Sequence, residues 1–445
     1  MIRGVDRREG IEAALGLVES WEARWGERPG PPAVDPARWD SAWEEFARRM
    51  DGNFPFFHPR FAGQMLKPPH AAAAAGYVAA MLVNPNNHAL DGGPATSAME
   101  KEAVDELAGI LGLQPPTLGH LTASGTIANL EALWVARELH PDKGIVHGAN
   151  AHYTHARMCR VLRMPAREVP ARPDGRIDLD ALDAECAKGD VGTVVLTAGT
   201  TGVGAVDPID GALALRERHG VRIHVDAAYG GFFALLDDAP AGLKAMGAAD
   251  SIVVDPHKHG LQPYGCGAVL FADPGVGRFY AHDSPYTYFT SGDLHLGEIS
   301  LECSRAGASA AALWLTLRAV DITPLVAAAR RAARRLAARL RDSDELRPLL
   351  EPELDIVAYL PRRTTVSGID AASAAILRAG MEDPVDPVFL STLQVAADHL
   401  TALHPDLEPD APAARVLRSV LMKPEHEATT EWLATRVEAL SRATR

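Results

Sequence analysis

From residue 98 to residue 271 the chain alternates short apolar runs with longer stretches of helical spacing. The short runs, at residues 119–122, 144–148, 193–198, 221–227, 251–254 and 267–271, read as strands. Between them, residues 99–111, 125–139, 152–162 and 209–219 read as helices. Strands that are apolar throughout are covered on both faces. The pattern therefore predicts an α/β fold: a mostly parallel central sheet flanked by helices. The flanks read differently. Residues 11–25 and 39–50 predict helices separated by Pro29-Gly30-Pro31-Pro32. Residues 53–69 predict an ordered loop, and 71–82 an Ala-rich helix. A helical run over 308–340 is expected to break or kink at Pro324. Strands at 355–360 and 416–422 and a closing helix at 425–442 follow. The expected organisation is an N-terminal helical segment (1–83), a large domain (84–320) and a smaller C-terminal α+β domain (321–445).

A chain of 445 residues, 47% hydrophobic, can bury a large core in more than one domain. Its net charge of −14 argues against nucleic acid or an anionic membrane as the main partner. No stretch approaches the roughly 20 apolar residues of a membrane span, and no apolar core of a signal peptide follows the first residues. The four cysteines lie far apart with no Cys-x-x-Cys pair. We expect neither a disulfide framework nor a metal cluster, and a cytoplasmic location.

Only seven of the 44 basic residues are lysine, which makes Lys258 conspicuous. It lies in Val253-Val254-Asp255-Pro256-His257-Lys258-His259-Gly260, a strand running into a turn. A charge is costly just beyond an apolar strand, and a neutral amine can attack a carbonyl, so the position suits an imine-forming lysine. Taken alone, it reads as well as a surface lysine. Upstream, Asp226 ends an otherwise apolar strand in His224-Val225-Asp226-Ala227-Ala228-Tyr229-Gly230-Gly231. A buried carboxylate needs a partner. A pyridinium N–H is one, and a helix N-cap role is the alternative. Ala228 would let a flat ring approach the backbone. Ser124-Gly125-Thr126 joins a strand to a helix and could aim free backbone amides and two hydroxyls at a phosphate, or simply cap the helix. His152 could stack on a flat cofactor. Thr200 and Thr201 offer hydroxyls after another strand. All these features fall at carboxyl ends of strands, where cofactors bind in such sheets.

Together, Ser124-Gly125-Thr126, His152, Gly199-Thr200-Thr201, Asp226 to Gly231 and Asp255-Pro256-His257-Lys258 resemble the group II pyridoxal-phosphate-dependent amino acid decarboxylases. That family has the fold type I architecture of the aspartate aminotransferase superfamily. The extension to Tyr264 is most similar to the bacterial and archaeal tyrosine and aspartate decarboxylase branch.

The resemblance implies pyridoxal 5′-phosphate held covalently by Lys258 in the domain at 84–320. Asp226 would meet the pyridine nitrogen, Ala228 would lie beneath the ring, and His152 would stack on the other face and assist proton transfer. Ser124, Gly125, Thr126 and His257 would hold the phosphate, and Thr200 and Thr201 would touch cofactor oxygens. It further implies a homodimer with its active site at the interface, the loop within 1–83 contributing to both. Tyr286 or Tyr288 would return a proton to the substrate carbon, with aromatic packing as the alternative. Asn86, Asn87 and His58 would contact substrate, Phe57 and Phe61 would wall the site, and Arg418 or Arg305 would bind a carboxylate. Two departures are visible: Arg157 stands where many members have lysine, and the C-terminal domain is shorter than in animal and plant relatives.

The expected reaction is α-decarboxylation of an L-amino acid, an aromatic one such as tyrosine favoured, to the amine and carbon dioxide. The same Asp and Lys would serve an aminotransferase, a carbon–carbon lyase or an oxygen-dependent decarboxylase-deaminase. A non-catalytic scaffold on this fold is a further alternative.

Overall fold

The computed structural model describes residues 6–26, 30, 33–281 and 300–444. Helices α1 (Arg7–Ala23) and α2 (Pro36–Asp51) each open on an aspartate cap: Asp6 accepts from the Glu9 amide and Asp35 from the Arg38 amide. They precede α3 (Ala71–Val83) and α4 (Pro94–Ile110).

The central sheet is built from β1 (Leu118–Thr122), β2 (Gly144–Gly148), β3 (Ala166–Val169), β4 (Val191–Thr197), β5 (Arg222–Asp226), β6 (Ser251–Val254) and β7 (Gly267–Phe271). Helices α5 (Gly125–Leu139), α6 (Thr154–Leu162), α7 (Leu179–Cys186), α8 (Ile209–His219) and α9 (Ala241–Ala245) connect them. The strand order is β1-β7-β6-β5-β4-β2-β3. The strands from β6 to β3 run parallel, and β7 is antiparallel to both its neighbours. Every residue of β2, β4, β6 and β7 is buried, as strands covered on both faces require.

Helices α10 (Gly307–Ala319) and α11 (Thr323–Arg341) meet at a bend of 85°. Pro324 sits in the first turn of α11, where its missing N–H costs nothing, so it starts a new helix instead of kinking one. Then come β8 (Leu346–Pro348), β9 (Ile356–Pro361), α12 (Val366–Glu382), β10 (Ser391–Ala396), α13 (Ala397–Leu403), β11 (Ala413–Val420) and α14 (His426–Ala443). These strands form a second, antiparallel sheet ordered β10-β11-β9-β8. Helix α11 buries Val326, Ala333, Leu336 and Leu340, while of its arginines Arg331 pairs with Glu427 of α14 at 2.8 Å and Arg339 with Glu438 of α14 at 2.8 Å. Leu354, Ile356, Val420 and Met422 of the smaller part join the core cluster of the main sheet. Shared packing therefore fixes the second sheet relative to the strand ends of the first.

Among the described residues no single helix is long and apolar enough to cross a membrane; α10 and α11 pass that test only jointly, across their bend. The elements absent from the sequence reading are β3, α7, α9, β8, α12, β10 and α13. Their patterns are weak for physical reasons. The β3 sequence is Ala-Arg-Glu-Val with one buried residue, and β10 is half exposed. Both are edge strands, where burial does not enforce an apolar pattern.

Candidate active site

The carboxyl ends of β1, β4, β5 and β6 converge on one cavity of about 250 Å³. Beyond β6 the chain turns, and Lys258 places its Nζ 3.0 Å from Asp255 Oδ2. The Lys258 side chain is 19% exposed and Asp255 is buried, so the ammonium leaves water only part-way and does so with a counter-charge. The His257 imidazole donates from Nδ1 to the Cys266 carbonyl at 2.7 Å, leaving Nε2 3.5 Å from the same carboxylate. Burial lowers the pKa of His257, against the pull of Asp255.

At the end of β5, Asp226 Oδ1 accepts from the Ala228 amide at 3.1 Å and Oδ2 accepts from His155 Nε2 at 3.0 Å. Burial alone would raise the Asp226 pKa. The His155 hydrogen bond, the Lys258 charge and the Ala228 amide outweigh it and hold the carboxyl well below the usual range. Each oxygen keeps a lone pair free for the cavity. Across the cavity, His152 Nδ1 accepts from the Thr154 amide at 3.2 Å and lies 2.6 Å from its hydroxyl, which leaves the ring proton on Nε2. Burial lowers the His152 pKa. Its ring packs against Tyr153 with centroids 4.2 Å apart.

Ser124 caps α5 through the Ile127 amide, and the amides of Gly125 and Thr126 are left without intrahelical acceptors. A Cβ at Gly125 would lie 2.7 Å from the Asp255 carboxylate, so only glycine fits there. On β4's exit, Gly199 has φ +98°, and a Cβ would meet the Gly230 amide nitrogen at 2.9 Å.

The structure thus brings Ser124, Gly125, Thr126, His152, Thr201, Asp226, Ala228, His257 and Lys258 to one cavity. Thr200 is not with them. It is buried and its hydroxyl accepts from the Ala205 amide at 3.0 Å, closing the turn after β4. Nor do the expected substrate-side residues line the cavity among the described residues. Asn87 is buried, donating to Glu100 Oε2 at 2.6 Å and accepting from the Thr96 hydroxyl at 2.5 Å. Arg305 pairs with buried Glu100 and donates to the carbonyls of Leu121 and Asn87. Asn86 accepts from the Arg305 amide at 3.0 Å. These groups bond one another, and among their donors the Arg305 Nε–H is left without a partner among the described residues. Arg418 donates to the carbonyls of Gly202, Gly63 and Thr201 and to the Ser391 hydroxyl, so it braces the Thr201 turn from behind. His58 accepts from the Arg60 amide at 3.1 Å within its own loop. Phe61 is buried and Phe57 exposed. Tyr286 and Tyr288 lie outside the described residues.

Five contributors received no role from the sequence: Asp255, His155, Tyr229, His259 and Asp355. Asp255 stands in the lysine motif, but its pairing with Lys258 spans a turn that residue types do not reveal. His155 follows His152 by one helical turn, a spacing that signals a shared face. The Tyr229 hydroxyl donates to Asp355 Oδ1 at 2.5 Å, while His259 Nε2 lies 2.8 Å from Asp355 Oδ2, tying the second sheet to the lysine's turn. Among the described residues no group of three or more His, Cys, Asp or Glu side chains is placed to hold a metal ion.

A family profile described as the pyridoxal-dependent decarboxylase conserved domain matches residues 35–360. The chain belongs to that family. It is 35% identical over 233 residues to a probable L-tyrosine/L-aspartate decarboxylase of Methanopyrus kandleri, covering 50% of this chain and 61% of that protein, less than two thirds of its length. It is 28% identical over 436 residues to an L-tyrosine decarboxylase of Enterococcus faecium, covering 71% of each. Among solved structures, mouse CSAD in its apo form superposes with a TM-score of 0.80 at 20% identity, over 98% of this chain and 94% of that one. Oryza sativa TDC with PLP and tryptamine gives a TM-score of 0.80 at 18% identity, over 97% of each chain. The fold is that of the fold type I enzymes, and the cofactor is pyridoxal phosphate. The residues present fit this cofactor. A single lysine meets the cavity, a carboxylate held ionised faces it, and a helix N-terminus kept open by Gly125 offers amides for a phosphate.

Proposed function

We propose that this protein removes the α-carboxylate of an L-amino acid as carbon dioxide, with an aromatic side chain preferred, and that it works as a homodimer in the cytoplasm. The observation that carries the reading is that Lys258, paired with Asp255, and Asp226, paired with His155 on its buried side, meet one cavity that His152 also lines. When bound, pyridoxal phosphate supplies an electron sink for the pair left on Cα. Asp226, ionised, would hold a proton on the ring nitrogen. Lys258 would carry the cofactor, and Asp255 would balance the amine whenever it is released. Ser124, Gly125, Thr126 and His257 would hold the phosphate, and Thr201 would reach a cofactor oxygen. His152, with its proton on Nε2, would cover the ring and would give a proton to Cα. Tyr286 and Tyr288 are retained as alternative proton donors.

The lining bears on substrate. Among the described residues Lys258 is the one Lys or Arg that lines the cavity, and the cofactor engages it. An acidic side chain would find no counter-charge there, which favours an aromatic substrate over aspartate. The names of the relatives include both. The four cysteines are free, as suits a reducing compartment.

The dimer reading rests on α2. Trp39, Trp43, Phe46 and Met50 are exposed at helical spacing, and α2 buries no residue against its own chain. Such a face on a described helix needs a cover. Light scattering should give a dimer mass for the wild type and a monomer for Trp43→Glu.

The reaction is tested by incubating the holoenzyme with each of the twenty amino acids, measuring carbon dioxide and keto acid. Carbon dioxide with matching amine, fastest from an aromatic substrate, is the expected result. Keto acid without carbon dioxide would overturn it in favour of transamination, and ammonia with oxygen uptake in favour of oxidative deamination.

A further inference from the structure

The carboxylate assigned to the cofactor ring has a second partner on its far side. His155 is fully buried, and its Nε2 lies 3.0 Å from Asp226 Oδ2. Its Nδ1 has no partner among the described residues. A bare nitrogen costs less there than a buried, unpaired N–H, so the ring proton belongs on Nε2, where it donates to Asp226. The imidazole is itself confined. The His147 and His224 rings neighbour it, each with its centroid 6.3 Å away. His224 is anchored at both nitrogens, to Ser251 Oγ and Asn129 Oδ1, each at 2.9 Å. His147 is anchored to the Gly148 carbonyl at 3.0 Å. His155 therefore has little room to turn away.

We propose that His155 is a positioning residue for the cofactor ring nitrogen. It never touches the cofactor, but it fixes one Asp226 oxygen and leaves the remaining lone pairs aimed into the cavity. Without it the carboxylate would keep only the Ala228 amide. It could then rotate and would lose the donor that keeps it ionised in a buried place. Affinity for the ring nitrogen should fall while phosphate and lysine contacts stay intact.

This inference rests on the reading that Asp226 faces the ring nitrogen, and the experiment separates the two. Apo-protein is titrated with pyridoxal phosphate and with its 1-deaza analogue, in which C–H replaces the ring nitrogen; Kd is read from the absorbance of the bound form. The variants are His155→Leu, His155→Asn (polar but too short to reach) and His155→Gln (which restores an N–H donor), with Asp226→Ala as control. His155→Leu and His155→Asn should weaken pyridoxal phosphate roughly ten- to hundredfold, the usual cost of losing an outer partner, and leave the deaza analogue unchanged. His155→Gln should recover most of the loss. Equal weakening for both ligands, or none for either, overturns the proposal. Should Asp226→Ala itself fail to distinguish the ligands, the ring-nitrogen reading falls. Should it distinguish them while the His155 variants do not, only the role of His155 falls. If His155→Leu fails to fold, the Asn and Gln pair decides.

Discussion

The polar side chains at the strand ends and those around the start of α4 and α10 contain similar residue types, yet they spend their hydrogen bonds differently. At the strand ends, Asp226 accepts one donor per oxygen and keeps capacity toward the cavity, and Lys258 rests on a single carboxylate. Around α4, Glu100 takes Asn87, Arg305 and the Leu121 amide, and the terminal nitrogens of Arg305 are held by that carboxylate and two carbonyls, with its buried Nε–H left over. Arg418, behind the Thr201 turn, is used up in the same way. A charged group near a cavity is a ligand only where it has unspent bonds aimed inward. The first region is built to receive a molecule, and the second to hold the chain that frames it.

Substitutions in the two regions should therefore fail in different ways. The largest effect is expected from Lys258→Ala: the visible absorbance of lysine-bound cofactor disappears and turnover falls to background, while the melting curve of the apo-protein changes little. Asp226→Asn should retain cofactor absorbance but lower kcat by roughly 10²–10³-fold, the size seen when one preorganised electrostatic partner is removed. If Asp226→Asn alters melting more than turnover, the carboxylate belongs with the framing group and the contrast collapses.

The same contrast explains what residue order reveals. The strands β2, β6 and β7 were legible to the residue because burial on both faces forces uninterrupted apolar runs bounded by glycine or polar turns. The grouping of residues at the cavity was legible, Thr200 excepted, because each of them lies within a few positions of a strand end. The lone lysine after β6 and the aspartate ending β5 were visible as violations of an apolar pattern. The substrate side was not legible. Asn87, Arg305 and Glu100 are joined across about two hundred positions of chain, and only the folded geometry tells that they bond one another. His155 was passed over because a histidine inside a helix looks like any other until its distance to Asp226 is known.

In the framing region, Arg305→Met should act on stability. It leaves Glu100 buried with its amide donors but without its cation, a loss that for buried pairs runs to about 3–5 kcal/mol. Urea unfolding should show that shift, with KM for the amino acid near the wild-type value. A raised KM at unchanged stability would restore Arg305 to the substrate-binding role suggested by its charge.

Acid should separate the regions by a smaller margin. Burial lowers the pKa of His224 to about 3 and of His426 to about 4, and lowers those of His147, His152 and His257. A histidine whose folded pKa is depressed binds more protons when unfolded. Its contribution is therefore complete above the unfolded value of about 6.5 and shrinks as pH falls below it. Asp207 works the other way. Burial raises its carboxyl to about 6, so the stability it contributes in acid is lost as pH rises through that value. It is outnumbered, and the net slope below neutrality should be downward. Four of the five histidines lie at or just beneath the cavity: His152 and His257 line it, His224 holds the lining residue Asn129, and the His147 ring faces His155. Protonation should therefore loosen the cavity floor before the whole chain unfolds. Between about pH 6.5 and about 3, cofactor absorbance should decline at a higher midpoint than the far-ultraviolet circular dichroism. Coincident midpoints would mean that the floor and the frame share one cooperative unit, despite their different use of hydrogen bonds.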